Sequence, residues 1–282
     1  MSTIGFIVHP ARAAAMEVAS ELSGRLEQVG VTTRRLPAEP IEASEAVEAR
    51  GFAEGLDLAV AVGGDGTFLR AAQIAWSADV PLAGVKVGRL GFLTEIEPEE
   101  ALGVVRDVLD GRGRIEERAP VVADSDAWDT QEWALNEIMV EKKSRHRLIK
   151  LAVRVDGTDF CTFSADGVIV STSTGSTAYS FSARGPIVSP SIPCMVVTPI
   201  AAHMVFDRSL VLGQGERVSL EVAGEEPGEI SADGRAGREL PVGAVLRIAL
   251  APRPLRMVRR SDGKSFFSIV RDKFGLPGGA QA

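Results

Sequence analysis

The stretch Ala61-Val-Gly-Gly-Asp-Gly-Thr-Phe-Leu-Arg70 sets three glycines around one aspartate directly after an apolar run. Before the glycines, Asp57-Leu-Ala-Val-Ala-Val62 reads as a short strand buried on both faces. After them, Thr67 to Trp76 reads as an amphipathic helix. Gly63, Gly64 and Gly66 therefore fall at a strand-to-helix corner. Glycine there permits positive φ and leaves no Cβ between the backbone and a ligand, and the start of the helix offers unpaired N–H groups to an anion. Phosphate suits such a corner; the same residues would also make a tight turn and nothing more.

On either side of this corner the pattern alternates. A strand over residues 3–8, a helix from about 13 to 29, a strand near Val31 to Leu36 and a helix over Ser44 to Phe52 precede it. A strand over Pro81 to Val87 and an amphipathic helix over Glu99 to Leu109, ahead of Gly111, follow it. This predicts an α/β domain over residues 1–115. From there the texture changes to short apolar segments broken by Gly, Asp and Pro: Glu132 to Glu141, Leu148 to Val155, Val168 to Thr172, Met195 to Ile200, Leu210 to Leu212, Val218 to Val222 and Val245 to Ala249. These predict a mainly β domain over residues 116–255. Residues 263–274 read as a helix with an aromatic face, expected to pack back on the first domain, so that 256–282 returns to it; Gly275 to Ala282 is tail-like.

The 282 residues are 45% apolar, enough for a substantial core, and the net charge is -7 without a long Lys/Arg block, which disfavours a nucleic acid partner. Lys142-Lys-Ser-Arg-His-Arg147 is a short basic stretch, read as a solvated hairpin ahead of a phosphate-binding patch. With neither a long apolar span nor a signal-peptide pattern at Met1 to Val8, the expectation is a cytoplasmic protein without membrane contact. Cys161 and Cys194 read as isolated reduced thiols, and His9, His146 and His203 lack metal-ligand spacing, so a zinc site is not expected.

Familiar phosphate loops are missing. Gly5 stands alone at the first strand, Leu69 occupies the third-glycine position after Gly64-Asp-Gly66, and Val258 stands where a Walker loop ending in Gly263-Lys264-Ser265 needs its first glycine. Two other stretches suit a polar ligand. Residues 164–190 run from a strand into a Ser/Thr-rich turn and a short helix at Ser176 to Ser182, with more hydroxyls than one turn needs. In Leu135-Asn136-Glu137-Ile138 a polar pair interrupts an apolar strand. Its carboxamide and carboxylate suit an adenine edge and a ribose diol, and also suit an exposed strand face. Asn136 is the only asparagine and Tyr179 the only tyrosine. Each lies in one of these stretches.

Taken in order, Gly63-Gly-Asp-Gly-Thr67, Gly84-Val-Lys-Val-Gly-Arg-Leu-Gly-Phe-Leu93, Asn136-Glu137, Asp166-Gly167 and Thr174-Gly-Ser-Thr-Ala-Tyr-Ser180 form a motif set that resembles the NAD kinases. The likeness spans almost the whole chain, including Phe266-Phe267 and Leu276-Pro277. Gly-Gly-Asp-Gly alone is shared with phosphofructokinases and with diacylglycerol or sphingosine kinases; the later motifs separate the families. The resemblance implies an N-terminal Rossmann-like α/β domain, a C-terminal all-β sandwich domain, an active site between them, and a homodimer or homotetramer. It implies ATP, or inorganic polyphosphate, and NAD as substrates, and Mg²⁺ or another divalent cation. Carried over by motif, Asp65 is the base for the 2′-hydroxyl of the adenosine ribose. Gly64, Gly66, Thr67 and Arg70 at the corner, and Asn136, Glu137, Asp166, Thr177, Ala178, Tyr179, Ser180 and Ser182, are the nucleotide contacts; Arg147 and Arg235 occupy ligand-facing positions. The metal ligands stay unassigned. Lys86 stands where relatives often carry Asn, which leaves its role open and the glycine framework intact. Two alternatives are a lipid kinase, which needs an apolar acceptor pocket and a basic membrane-binding face, and a non-catalytic NAD(P)-binding sensor, which has no use for Asp65.

Overall fold

Short uninterrupted apolar runs build the sheet of the first unit. In a computed structural model, which describes residues 2–9, 11–39, 41, 44–89, 91–204 and 206–277, the chain divides into one unit of Met1–Glu117 with Leu255–Ala282 and another of Arg118–Pro254. The first holds the parallel strands β1 (Thr3–Val8), β2 (Thr32–Arg35), β3 (Glu45–Ala46), β4 (Leu58–Gly63) and β5 (Leu82–Lys86), in the order β3-β2-β1-β4-β5. The returning strand Leu255–Arg259 continues the sheet beside β5 and is followed by Arg114–Arg118. Every residue of β4 and all but the first of β1 are buried, as expected of strands covered on both faces.

Helices α1 (Ala13–Glu27), α2 (Ala49–Phe52), α3 (Asp65–Ala78) and α4 (Ala101–Leu109) join these strands. α1 buries Ala15, Ala19, Leu22 and Leu26, a stripe at helical spacing. From β1 the chain moves outward to β2, and from β4 it moves the other way to β5. At such a reversal the carboxyl ends of the two central strands open a crevice in which α/β proteins bind ligands. His9 follows β1 there and the glycine corner follows β4.

In this unit two local readings change. The expected helix over Ser44 to Phe52 is a two-residue strand followed by one helical turn, because Glu45 and Ala46 pair with Arg34 and Arg35 of β2, a tertiary contact that no local pattern announces. The C-terminal helix spans Phe266–Phe274, capped by the Ser265 hydroxyl and ended by Gly275 at φ 60°. It belongs to the first unit, where Phe266 and Phe274 pack against Phe92 at 6.3 and 6.4 Å. The last part of the expected tail, residues 278–282, lies outside the described residues.

The second unit is a sandwich of two antiparallel six-stranded sheets. One runs Thr158–Ala165, Ile149–Val155, Val218–Val222, Val245–Leu250, Val121–Ser125, Glu132–Ala134; the other runs Leu210–Gly213, Cys194–Ile200, Gly167–Thr172, Glu137–Lys142, Gly228–Ala232, Arg235–Leu240. Alternation sends Val218, Leu220 and Val222 inward, where they join Leu151 and Leu246 of their own sheet and Ile138, Val140 and Val168 of the facing one. The single strand expected over Glu132 to Glu141 is two strands, broken at Leu135-Asn136.

Candidate active site

α3 begins at Asp65, and Gly64 caps it without a side chain. A Cβ on Gly63 would lie 2.6 Å from the Thr67 hydroxyl, so close approach demands glycine there. Gly64 and Gly66 differ: neither has positive φ, and a Cβ on either would meet nothing within 4 Å. Among the described residues nothing requires glycine at these two positions. The space in front of them is a cavity of about 410 Å³ lined by His9, Arg12, Gly64, Asp65, Thr67 and Arg70 among others. Arg70 donates to Val8 O at 2.6 Å and is ion-paired with Glu39, a buried carboxylate whose pKa burial pushes up. Glu39 neutralises the Arg70 charge.

Asp65 is held by a loop from further along the chain. Its Oδ2 accepts from Phe92 N at 2.9 Å, and its Oδ1 accepts from Leu93 N at 3.1 Å, Thr94 N at 3.3 Å and the Thr94 hydroxyl at 3.4 Å. With one donor against two lone pairs, Oδ2 keeps an acceptor direction free. A Cβ on Gly91 would sit 1.9 Å from Asp65 Oδ1, so only glycine lets the loop close on the carboxylate. The loop is anchored on both sides. Phe92 lies under the C-terminal helix, and Glu95 pairs with Arg259 of the returning strand at 2.8 Å, both side chains 6% exposed. Lys86, whose role the sequence leaves open, pairs with Glu97 of the same loop at 2.7 Å.

The second unit repeats the device. Asp233, at left-handed φ 49°, accepts from Leu135 N and Asn136 N at 2.8 Å each and from Glu137 N at 3.2 Å, which interrupts the strand ladder and breaks the strand expected there. The sequence singles out Arg235 of this turn, Ala232-Asp-Gly-Arg235; the structure adds Asp233 as the residue that holds the Leu135–Glu137 backbone. Arg235 instead donates to Trp133 O and lies 3.9 Å from Asp233, buttressing the loop from behind. On the other side, Thr172 Oγ1 donates to Leu135 O at 2.6 Å and accepts from Gly175 N at 3.0 Å. A Cβ on Gly175 would lie 2.0 Å from Asn136 O.

Residues 174–182 form a 3₁₀ turn, Thr174–Thr177, and a one-turn helix, Tyr179–Ser182, in place of the single helix expected over Ser176 to Ser182, because Ala178 (φ -96°, ψ -130°) interrupts it. Thr177 Oγ1 donates to Thr174 O at 3.4 Å. Ser180 is buried with its hydroxyl 3.5 Å from that of Thr198, and so faces the fold. Tyr179 is 44% exposed, and its N–H donates to the Glu137 carboxylate. Glu137 Oε2 is buried without a partner, and the Asn136 carboxamide makes no bond to any described residue. Burial, reinforced by the charge of Asp233, pushes Glu137 up to about 8. Burial also raises Asp233, against three amides and Arg235 that pull it down. Both acids therefore hold a proton to higher pH than exposed carboxylates do, and in its protonated form Glu137 is a donor as well as an acceptor.

Two candidates lie apart from this turn. In the sheet Glu137 faces Ser171 while Glu141 faces Gly167, which puts Asp166 five residues, roughly 16 Å at strand rise, from Ser171. There it is ion-paired with Lys142. Arg147 is paired with Glu226 at 2.6 Å on an exposed loop.

An open glycine corner beside a fixed carboxylate, together with a second cluster of polar groups left without partners, is the equipment of a phosphotransferase that handles nucleotides. The family model described as ATP-NAD kinase N-terminal domain matches residues 4–113, and that described as ATP-NAD kinase C-terminal domain matches residues 135–260. The NAD kinase of Rhodococcus jostii is 36% identical, over 96% of this chain and 92% of its own length, and that of Moorella thermoacetica is 39% identical, over 96% and 87%. The chain belongs to the NAD kinase family. Its fold is similar to the crystal structure of yeast NADH kinase complexed with NADH (TM-score 0.89, 23% identity, 100% of this chain and 89% of that one). It is also similar to that of an NAD kinase from Archaeoglobus fulgidus in complex with ATP (TM-score 0.75, 24% identity, 98% and 100%).

A Gly91→Ala variant should melt at a lower temperature, as the amide bonds to Asp65 are lost, and should lose about 10²-fold in kcat as Asp65 is displaced. Steady-state rates beside a thermal melt check this; an unchanged kcat removes the cradle from the mechanism. Glu137 supplies a pH signature. Its folded pKa of about 8 exceeds the ordinary 4.5, so the stability from its protonated form is complete below about 4.5 and is lost as pH rises through 8. The slope is up to about 1.4 kcal/mol per pH unit. Glu137→Gln keeps the shape without titrating, so its melting temperature should gain on that of the parent chain between pH 5 and 8. A constant difference between the two would show that Glu137 is ionised throughout.

Proposed function

We propose that the 2′-hydroxyl oxygen of the adenosine ribose of NAD attacks the γ-phosphorus of ATP, the bond from that phosphorus to the β–γ bridging oxygen breaks, and the hydroxyl proton passes to Asp65, giving NADP and ADP. The observation that carries this reading is the Asp65 carboxylate, immobilised by three amides with one acceptor direction of Oδ2 left free, beside two glycines whose missing Cβ atoms the first unit does not need. Phosphoryl transfer asks little covalent chemistry of a protein beyond positioning and charge stabilisation, and a fixed carboxylate near the nucleophile supplies the base. Family membership, and the complexes of the similar structures with NADH and with ATP, support the two substrates.

The acceptor would lie on the second cluster, where the Asn136 carboxamide and the orphaned Glu137 oxygen meet adenosine hydrogen-bonding groups, exposed Tyr179 offers a face to the base, and Thr177, Ala178 and Ser182 form the rim. Among the described residues no three His, Cys, Asp or Glu side chains gather to hold a metal ion. These residues do not fit an all-protein cage for Mg²⁺, and a divalent cation would come with the ATP substrate to neutralise phosphate charge. Free Cys161 and Cys194 suit the reducing cytosol. A lipid kinase is disfavoured by the family match, and no described helix is long and apolar enough to cross a membrane.

A homo-oligomer completes the reading. The edge strands Thr158–Ala165 and Leu210–Gly213 expose Phe160 and Val211, which another copy would cover. Light scattering should give a dimer or tetramer at micromolar concentration; a strict monomer removes this part.

Asp65→Asn tests the chemistry. The loss of the base should cost roughly 10² to 10⁴ in kcat for NADP formation with NAD affinity little changed, while the melting temperature should fall, because the carboxamide sets an NH₂ group against one of the backbone N–H donors that the two carboxylate oxygens accept. Retained kcat would mean that Asp65 only shapes the corner.

A further inference from the structure

We infer that His9 and Arg12, on the segment that leaves β1, are the side-chain arms that hold the polyphosphate chain of the phosphoryl donor over the glycine corner. The inference rests on the kinase reading above and concerns the donor side of that site, for which the motifs supply only Gly64, Gly66, Thr67 and Arg70.

The cavity at the corner is built from two chain segments, and both inferred arms come from the first. Arg12 donates through one terminal nitrogen, Nη1, to Val87 O at 3.0 Å, where Gly88, at φ 102°, leaves room for it. One bond out of five possible donors orients the guanidinium without exhausting it. Among the described residues no carboxylate pairs with Arg12, whereas Arg70 in the same cavity is neutralised by Glu39. Arg12 is thus the cation whose charge remains available. His9 Nδ1 accepts from Ala11 N at 3.2 Å, which places the imidazole hydrogen on Nε2 and makes that atom a donor.

An uncompensated guanidinium and an imidazole N–H over two glycines without Cβ atoms suit non-bridging phosphate oxygens, which accept charge-assisted bonds in any direction. Such bonds to phosphate oxygens form whether or not a base is attached to the chain. The predicted ligand class is therefore a triphosphate, recognised whether or not it carries a nucleoside. Inorganic tripolyphosphate, which shares the chain but lacks the adenosine, should compete with ATP and leave NAD binding unaffected.

Arg12 is exposed and His9 half-buried, so Arg12→Ala and His9→Ala should fold with unchanged melting temperatures. In steady-state assays of NADP formation Arg12→Ala should raise KM for ATP at least about tenfold, and His9→Ala severalfold, with KM for NAD within about twofold of the parent. The inhibition constant of tripolyphosphate should rise in step with KM for ATP. Arg12→Lys, with its charge but without the fork, should fall between parent and alanine variant. If ATP KM is unchanged in both alanine variants, or if NAD KM rises in place of it, the inference is overturned. A parent chain that makes no NADP from ATP would overturn the kinase reading instead, so the two failures are distinct.

Discussion

A carboxylate that accepts hydrogen bonds from three successive backbone amides is the constraint around which each unit arranges its polar residues. Asp65 grips Phe92, Leu93 and Thr94, and Asp233 grips Leu135, Asn136 and Glu137. Each bond from an amide to a charged acceptor contributes about 1.5–3 kcal/mol, and three together determine where a loop runs. The two grips do opposite work. In the first unit the loop immobilises the carboxylate. In the second, the carboxylate immobilises the loop, and the groups left over, the Asn136 carboxamide and the Glu137 side chain, are free for something else.

Both grips depend on backbone coming closer than a side chain allows. The missing Cβ of Gly91 makes room for Asp65, and that of Gly175 for the Asn136 carbonyl. Around the first grip the molecule adds buried support, with the Glu95–Arg259 pair and the Phe92 ring under the C-terminal helix. A buried ion pair of this kind gains little net stability over an apolar pair, but it fixes a geometry, since removing one partner strands the other charge. The returning segment therefore does more than complete a sheet: it braces the loop on which the Asp65 orientation rests.

Electrostatics separates two acids of one cluster by the number of amides each receives. Asp233 has three and Arg235 nearby; Glu137 has the Tyr179 amide and an unpartnered oxygen. Desolvation raises both, and backbone amides answer it more strongly at Asp233 than at Glu137.

Much of this was legible in the sequence by itself. Local pattern determined the α/β alternation, the change to short β segments near residue 115, the return of the C-terminal helix and the glycine corner, because period and turn chemistry are short-range properties. The ordered motifs brought Asp65, Asn136, Glu137 and Tyr179 into view. Only the tertiary structure decided what holds them. Asp233 is 96 residues from the Glu137 amide it binds, and Asp65 is 27 from Phe92, separations at which no periodicity survives. The two-residue strand at Glu45, the break at Leu135-Asn136 and the engagement of Arg70, Arg147 and Arg235 with internal partners were likewise settled by neighbours distant in the chain. A side chain's type says which bonds it can make; which it does make depends on the groups the fold sets within about 3 Å of it.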